Sequence, residues 1–292
     1  MFAIASPSDR PAVSQPECDP LAGIRARGVV RLSTFGDASG TRIASLEESG
    51  GYRCKFPTTA APWLQAAIVN TGGGVAGGDH IALSVTATAT AHLRIGTATA
   101  ERIYRSLGAT TRVEAHIRAI DAATLVWAPQ PTIIFSGSRL DRRYDIELDR
   151  TATVLVAEAL CFGRRDNGEL MGQGALRDRW YIRRDGDLVH AELTKLEGDI
   201  GAILDRRATL AGAHIAATLI FASPDAEDHV DGVRDLLAEG GSLSAAGVRA
   251  GLLIVRSVGT RLEHVERTLS RISAYLLSRR PFTTQTIETA AS

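Results

Sequence analysis

The chain has 292 residues, 45% of them hydrophobic and 23% charged, which is ordinary globular composition and ample for a sizeable core. Its 33 Lys and Arg balance 33 Asp and Glu, so it lacks both the basic excess of a dedicated nucleic-acid binder and the high net charge of a disordered chain. No stretch reaches the roughly 18 apolar residues of a membrane span. Residues 1–22, rich in Ser, Pro and Ala, lack the basic start and apolar core of a secretory signal and are expected as a flexible N-terminal segment. The three cysteines, Cys18, Cys54 and Cys161, lie far apart with no CxxC pair. That disfavours a structural zinc site and points to a reducing, cytoplasmic setting. Lys55 and Lys195 are the only lysines. Genomic base composition accounts for this; so does arginine used for planar contacts at protein interfaces.

In chain order, the first strand-like runs are Val29–Thr34 and Leu64–Asn70. From Ile81 to Ile95 the odd positions are Ile, Leu, Val or Ala, and even positions include Ser84, Thr86, Thr88, Thr90, His92 and Arg94. Alternate side chains of a strand face opposite ways, so this pattern makes one apolar and one polar face, with a turn admissible at the Ala/Thr centre. The alternation recurs at Val113, Ala115, Ile117 and Ala119, and at Leu140, Tyr144, Ile146 and Leu148. Further runs are Thr124–Trp127, Thr153–Cys161, Leu176–Arg184, Leu188–Leu193, Ile215–Phe221 and Leu252–Val258. Many short strands without alternating helices predict a mainly β architecture, antiparallel or coiled. Two helices are predicted late in the chain. Ser223-Pro224-Asp225 reads as an N-cap, Val230, Val233 and Leu237 share one face, and Gly240-Gly241 can end the helix. The second runs over about residues 261–278, with Leu262, Val265, Leu269, Ile272 and Leu276 at helical spacing. The whole reads as a single β-rich domain over residues 23–280 with a polar tail at 281–292.

The segment Asn70–Asp79 contains GxGxxG as Gly72, Gly74 and Gly77. That motif holds a dinucleotide only when a helix follows, and a strand pattern follows here; no Lys-Ser/Thr completes a phosphate loop. A turn explains the glycines' geometry, and missing side-chain bulk lets another backbone approach closely. Asp79 reads as a turn residue or as a functional carboxylate. Glu158 ends a predicted buried strand, where a carboxylate needs a partner. Arg164 is an available one, and the two read as a structural pair bracing a turn at Asn167-Gly168; alternatively, Glu158 reads as a carboxylate lining an internal passage or interface. Ser136-Gly137-Ser138 lacks the flanks of a nucleophile elbow. The seven histidines are scattered, without metal-binding spacing, and read mostly as solvated.

Four segments, Gly72–Asp79, Thr97–Arg105, Trp127–Phe135 and Glu158–Glu169, together resemble those of the UreD (UreH) family of urease accessory proteins. Gly72–Asp79 resembles its GGG(x)xGGD turn, with Gly73 and Gly78 completing the glycines. Thr97-Ala98-Thr99-Ala100-Glu101-Arg102-Ile103-Tyr104-Arg105 is similar to T-x-A-A-E-K-I-Y-R, departing at Thr99 and Arg102. Trp127–Phe135, with Pro129 and Pro131, resembles W-x-P-E/Q-P-x-I-x-F. Glu158, Gly163, Arg164, Gly168 and Glu169 match E-x-x-x-x-GR-x-x-x-GE. The segments keep the family's order, and the similarity runs from about Gly28 to Leu277. The resemblance implies a non-catalytic scaffold chaperone with a β-helix-like stack of strands and two helices. It implies binding to UreF, to the GTPase UreG through UreF, and to the urease structural subunits, with the nickel carrier UreE as an indirect partner. It implies transient passage of nickel through an internal tunnel, with no tightly bound cofactor and with GTP only on the partner GTPase. Asp79, Glu158 and Glu169 match polar motif positions and are the expected tunnel carboxylates. The apolar stripe Leu262–Leu276 is expected to contribute to the UreF surface. Two other classes stand beside this: a β-solenoid enzyme acting on polysaccharide, for which 5% aromatics is sparse, and a generic protein-interaction domain.

Overall fold

The computed structural model describes residues 22–58, 63–240 and 243–278. Cys18, Gly241, the expected N-terminal segment up to residue 21 and the 281–292 tail lie outside these residues. Among the described residues a 3-10 turn, Ala22–Ile24, precedes the antiparallel hairpin β1 (Arg27–Asp37) and β2 (Gly40–Ser49), followed by β3 (Tyr52–Lys55) and its antiparallel partner β4 (Leu64–Asn70). From there it winds as a coil. β5 (His80–Thr88) lies in a front sheet and β6 (His92–Thr97) in a back sheet. After β7 (Glu101–Ile103), β8 (Thr111–Ala119) returns to the front and β9 (Thr124–Trp127) to the back. After β10 (Thr132–Ile134), β11 (Arg139–Leu148) and β12 (Thr153–Arg164) repeat the cycle. β13 (Glu169–Leu170) leads to β14 (Gln173–Arg184) and the antiparallel edge strand β15 (Asp187–Asp199).

Successive turns stack in parallel: β1, β5, β8, β11 and β14 in front, and β4, β6, β9 and β12 behind. The architecture is therefore mainly β and β-helix-like, as the alternating pattern predicts, and it is the coiled alternative that is realised. Parallel stacking puts like on like. Leu32, Val85, Ile117, Ile146 and Ile182 are register partners in one row, and all are buried between the sheets. Each residue of such a row covers its neighbours, so the interior is close-packed along the coil axis.

After β15 come the short helix α1 (Ile200–Asp205), β16 (Ile215–Ala222), α2 (Val230–Ala238), β17 (Leu243–Arg249), β18 (Leu252–Gly259) and α3 (Leu262–Ser278). β16 and β18 extend the back sheet beyond β12. α2 and α3 cover its outer face: Val233, Leu237, Val265, Leu269, Ile272 and Leu276 pack with Leu219, Phe221, Leu253 and Val255 in a second core. The stripe on α3 is thus buried against this chain's own sheet. The expected Ser223 cap is not made. Its hydroxyl donates to Asp225 Oδ1 at 2.5 Å, and a 3-10 turn, Ala226–His229, precedes α2. No helix among the described residues is long and apolar enough to cross a membrane.

Candidate functional site

The four motif segments occupy four successive back-to-front connections of the coil. The glycine loop joins β4 to β5, the Thr97–Arg105 segment leads from β6 towards β8, Trp127–Phe135 leads from β9 towards β11, and the segment after Glu158 leads from β12 to β14. They are laced together by backbone pairing: Val75 bridges Ile103, β7 pairs β10, and β10 pairs β12. Residues far apart in sequence therefore form one side of the molecule.

The glycine loop crosses between sheets, so it is not a hairpin turn. Gly73, Gly74 and Gly78 have φ of +74°, +150° and +91°, conformations that side chains resist. Gly77 is required for space instead: a Cβ there would lie 2.3 Å from Ser106 Oγ and 2.9 Å from the Ala109 carbonyl oxygen. Gly74 suffers both constraints, its Cβ position being 2.3 Å from the Tyr104 ring. Asn70 locks the loop by accepting from the Gly72 N–H at 2.9 Å and donating to the Gly74 carbonyl at 3.0 Å and to Glu101 Oε1 at 3.0 Å. Asp79 is buried. Its Oδ1 accepts from the Ala26 N–H at 2.8 Å and its Oδ2 from the Ala76 N–H at 2.7 Å. Of the two readings of Asp79, this geometry is that of a turn anchor.

Glu158 does point into the interior, but its partner is Arg142 and not Arg164. Glu158 Oε2 accepts from Arg142 Nη1 at 2.5 Å, while Oε1 accepts from Trp127 Nε1 at 2.9 Å and from the Tyr144 hydroxyl. Arg142 also donates from Nε and Nη2 to Asp178 Oδ1 and Oδ2 at 2.9 and 2.8 Å, and Trp180 Nε1 donates to Asp178 Oδ2 at 3.1 Å. Burial works against a charged guanidinium, yet Asp178 and Glu158 hold Arg142 well above the usual range. Arg164 misses Glu158 because it lies six residues further along β12, about 20 Å away in extended backbone. Its guanidinium instead lies 6.0 Å from the Phe135 ring centroid. Glu169 is its cross-strand partner at the rim of the coil.

Two cavities between the sheets, each partly open to solvent, meet at this network. One, of about 50 Å³, is lined by Thr97, Glu101, Gln130 and Tyr144, among others. The other, of about 300 Å³, is lined by Asp178, Glu192, Thr218 and Arg256, among others. Arg142 and Glu158 line both. In the first, burial pushes the Glu101 carboxyl up, against hydrogen bonds from Asn70 and Tyr52. In the second, burial of Glu192 is outweighed by His190 and Arg256, which hold its carboxyl below the ordinary value.

The three expected carboxylates are thus not brought together: Glu158 lines the cavities, whereas Asp79 and Glu169 lie outside both linings. Arg142, Asp178 and Glu192 are charges of the cavity linings that the motifs do not contain; Glu101 is in the Thr97–Arg105 motif but not among the expected tunnel carboxylates. Parity carries the signal for two of them. Arg142 falls on the inward positions with Leu140 and Tyr144, and Asp178 on those with Leu176 and Trp180. Among the described residues no group of three or more His, Cys, Asp or Glu is placed to hold a metal ion. His229 departs from the solvated reading: it is buried between the rings of Phe221 and Tyr275, at 5.9 and 5.8 Å. Cys54 and Cys161 are free and buried, and burial pushes each thiol up to about 12.

The UreD urease accessory protein family model matches residues 26–288. A urease accessory protein UreD from Xanthobacter autotrophicus is 40% identical over 243 residues, 83% of this chain and 84% of that protein. One from Azorhizobium caulinodans is 38% identical over 243 residues, covering 83% of this chain and 90% of its own length. One from a Methylobacterium species is 38% identical over 255 residues, 85% of this chain and 90% of its own. With that similarity spread over the whole coil, and the four motif segments side by side on it, the chain belongs to the UreD family of urease accessory proteins.

Proposed function

We propose that this chain is a non-catalytic scaffold in urease maturation that acts in the cytoplasm. With UreF and the GTPase UreG it docks on apo-urease and assists insertion of the nickel metallocentre, the ion passing through the interior of the coil. The observation that carries this reading is the pair of cavities that share Arg142 and Glu158. Glu101, Glu158, Asp178 and Glu192 are spaced along them. Single carboxylates hold nickel less tightly than clustered imidazoles or thiolates, so an ion among them can leave again. The path rests on these four groups rather than on Asp79 and Glu169. Every oxygen of Glu158 is occupied, so cargo reaches it only when Arg142 or Tyr144 yields. GTP belongs to the partner, since the glycine loop here leads into β5 and not into a helix N-terminus. The test is co-expression of urease with its accessory proteins, with and without this chain. Urease lacking nickel and activity when the chain is omitted is the expected result; equal nickel in both would overturn the reading.

A further inference from the structure

The laced connections carry a ladder of side chains, one from each turn of the coil. The Tyr104 hydroxyl donates to the Gly73 carbonyl at 3.0 Å, the Tyr104 ring lies 5.3 Å from Phe135, and Phe135 lies under the Arg164 guanidinium. Large apolar side chains stand out from this same ridge: Leu107 is 88% exposed, Leu170 64% and Tyr104 37%. Leu107 is held outward by a tight loop in which Ser106 Oγ donates to the Ala109 carbonyl at 2.5 Å and accepts from the Gly108 N–H at 3.0 Å. Leu170 is placed by the pairing of β13 on the end of β12. Arg105 and Arg165 are exposed beside them, and no ion pair or hydrogen bond engages either guanidinium among the described residues. Gly72 and Gly73 lie exposed and flush, with open space above Gly73. The first cavity is lined by Thr97, Glu101 and Gln130 of these same connections.

A rigid ridge with an apolar centre, arginines at its margin and bare backbone at one end has the anatomy of a protein interface. The helices offer less, because the apolar faces of α2 and α3 are spent on their own sheet. We infer that the back-to-front connections form the docking surface for a partner protein whose contact patch has an apolar centre and an acidic margin. Leu107, Leu170 and Tyr104 enter the centre, Arg105 and Arg165 meet the acidic groups, and the partner covers the Glu101 end of the first cavity. Unpaired arginines complement acidic groups at no cost in existing ion pairs, and they favour that partner over a neutral one by steering encounter. The inference rests on the scaffold reading only for the assembly in which it is tested.

The experiment uses the full chain, tagged and co-expressed with apo-urease and the accessory partners. Two double variants are compared, Leu107→Asp with Leu170→Asp and Arg105→Glu with Arg165→Glu. A control pair, Leu188→Asp with Leu193→Asp, alters exposed leucines on β15 instead. Each ridge pair is expected to lower partner recovery at least about tenfold, the loss typical of removing one interface anchor. The melting temperature of the free chain stays at the parental value, and the control recovers partner like the parent. Parental recovery by both ridge pairs would overturn the surface while leaving the scaffold reading intact. Loss with the arginine pair alone, competed by heparin, would mean a general polyanion site and would overturn the apolar-centred partner. Failure of the parent chain itself to recover any partner would overturn the scaffold reading and the surface with it.

Discussion

Arg142 Nη1 lies 2.5 Å from Glu158 Oε2, and this contact joins the front sheet to the back sheet where the two cavities meet. Both side chains are buried. Asp178 holds Arg142 by two further hydrogen bonds and is its register partner on the neighbouring strand. The guanidinium can therefore release Glu158 and stay paired, which is the property a movable wall between the cavities needs.

Removing Glu158 leaves Arg142 paired with Asp178 but strands buried donors on Arg142, Trp127 and Tyr144. Glu158→Ala is expected to destabilise the chain by about 1–3 kcal/mol for each donor left without a partner. Glu158→Gln, which keeps an acceptor for Trp127, is expected to cost less. Urea denaturation midpoints of the purified variants check the order.

The two critical glycines fail for different reasons. Gly77→Ala clashes with Ser106 and with the Ala109 carbonyl, so Ser106→Gly is expected to restore only part of the lost stability. Gly74→Ala keeps its unfavourable φ of +150° whatever is trimmed from Tyr104. A penalty of about 1–3 kcal/mol is therefore expected to remain in Gly74→Ala with Tyr104→Ala. Thermal melts of the four variants check both.

Asp79→Ala strands two backbone donors, at Ala26 and Ala76. The expected loss is about 1–3 kcal/mol for each donor left unpaired in a buried site. Asp79→Asn, which can accept only one of the two bonds through oxygen, is expected to fall between. Denaturation midpoints measure this, and complexes formed by the surviving Asn variant are expected to load nickel normally.

Glu101 and Glu192 are expected to bend the stability–pH curve in opposite directions. Glu101 is raised by burial, so the folded chain holds its proton longer than the unfolded chain, and stability falls as pH rises above the ordinary value of 4.5. Glu192 is lowered, so its contribution is present above 4.5 and is lost as pH falls through the folded value. Glu101→Gln is expected to flatten the first slope and Glu192→Gln the second, by denaturation at a series of pH values.

Much of this fold is legible because one face of each strand is apolar. β4 and β9 end at the residues where alternation or apolar runs end, Leu64–Asn70 and Thr124–Trp127. β2 is not legible, since it is exposed along nearly its whole length and carries no period. Three-residue strands such as β7 and β10 are too short to show one. The motif segments point to the right side of the coil and include Glu101 and Glu158, but not Arg142, Asp178 or Glu192. Glu158 could be found as a carboxylate in a buried run, whereas its partner is set by the stacking of β11 on β12, a contact that the local sequence around Glu158 does not encode. The proximity of Arg164 in sequence is misleading because six residues of extended strand carry it out of reach of Glu158.

The most direct test of passage through the interior fills the second cavity without touching the ridge. Thr194 lines that cavity, and Thr194→Trp places an indole in it. Complexes carrying this variant are expected to assemble in parental amounts, with nickel per urease active site reduced severalfold. Full nickel loading with the cavity filled, in a complex of unchanged composition, would contradict passage through the coil.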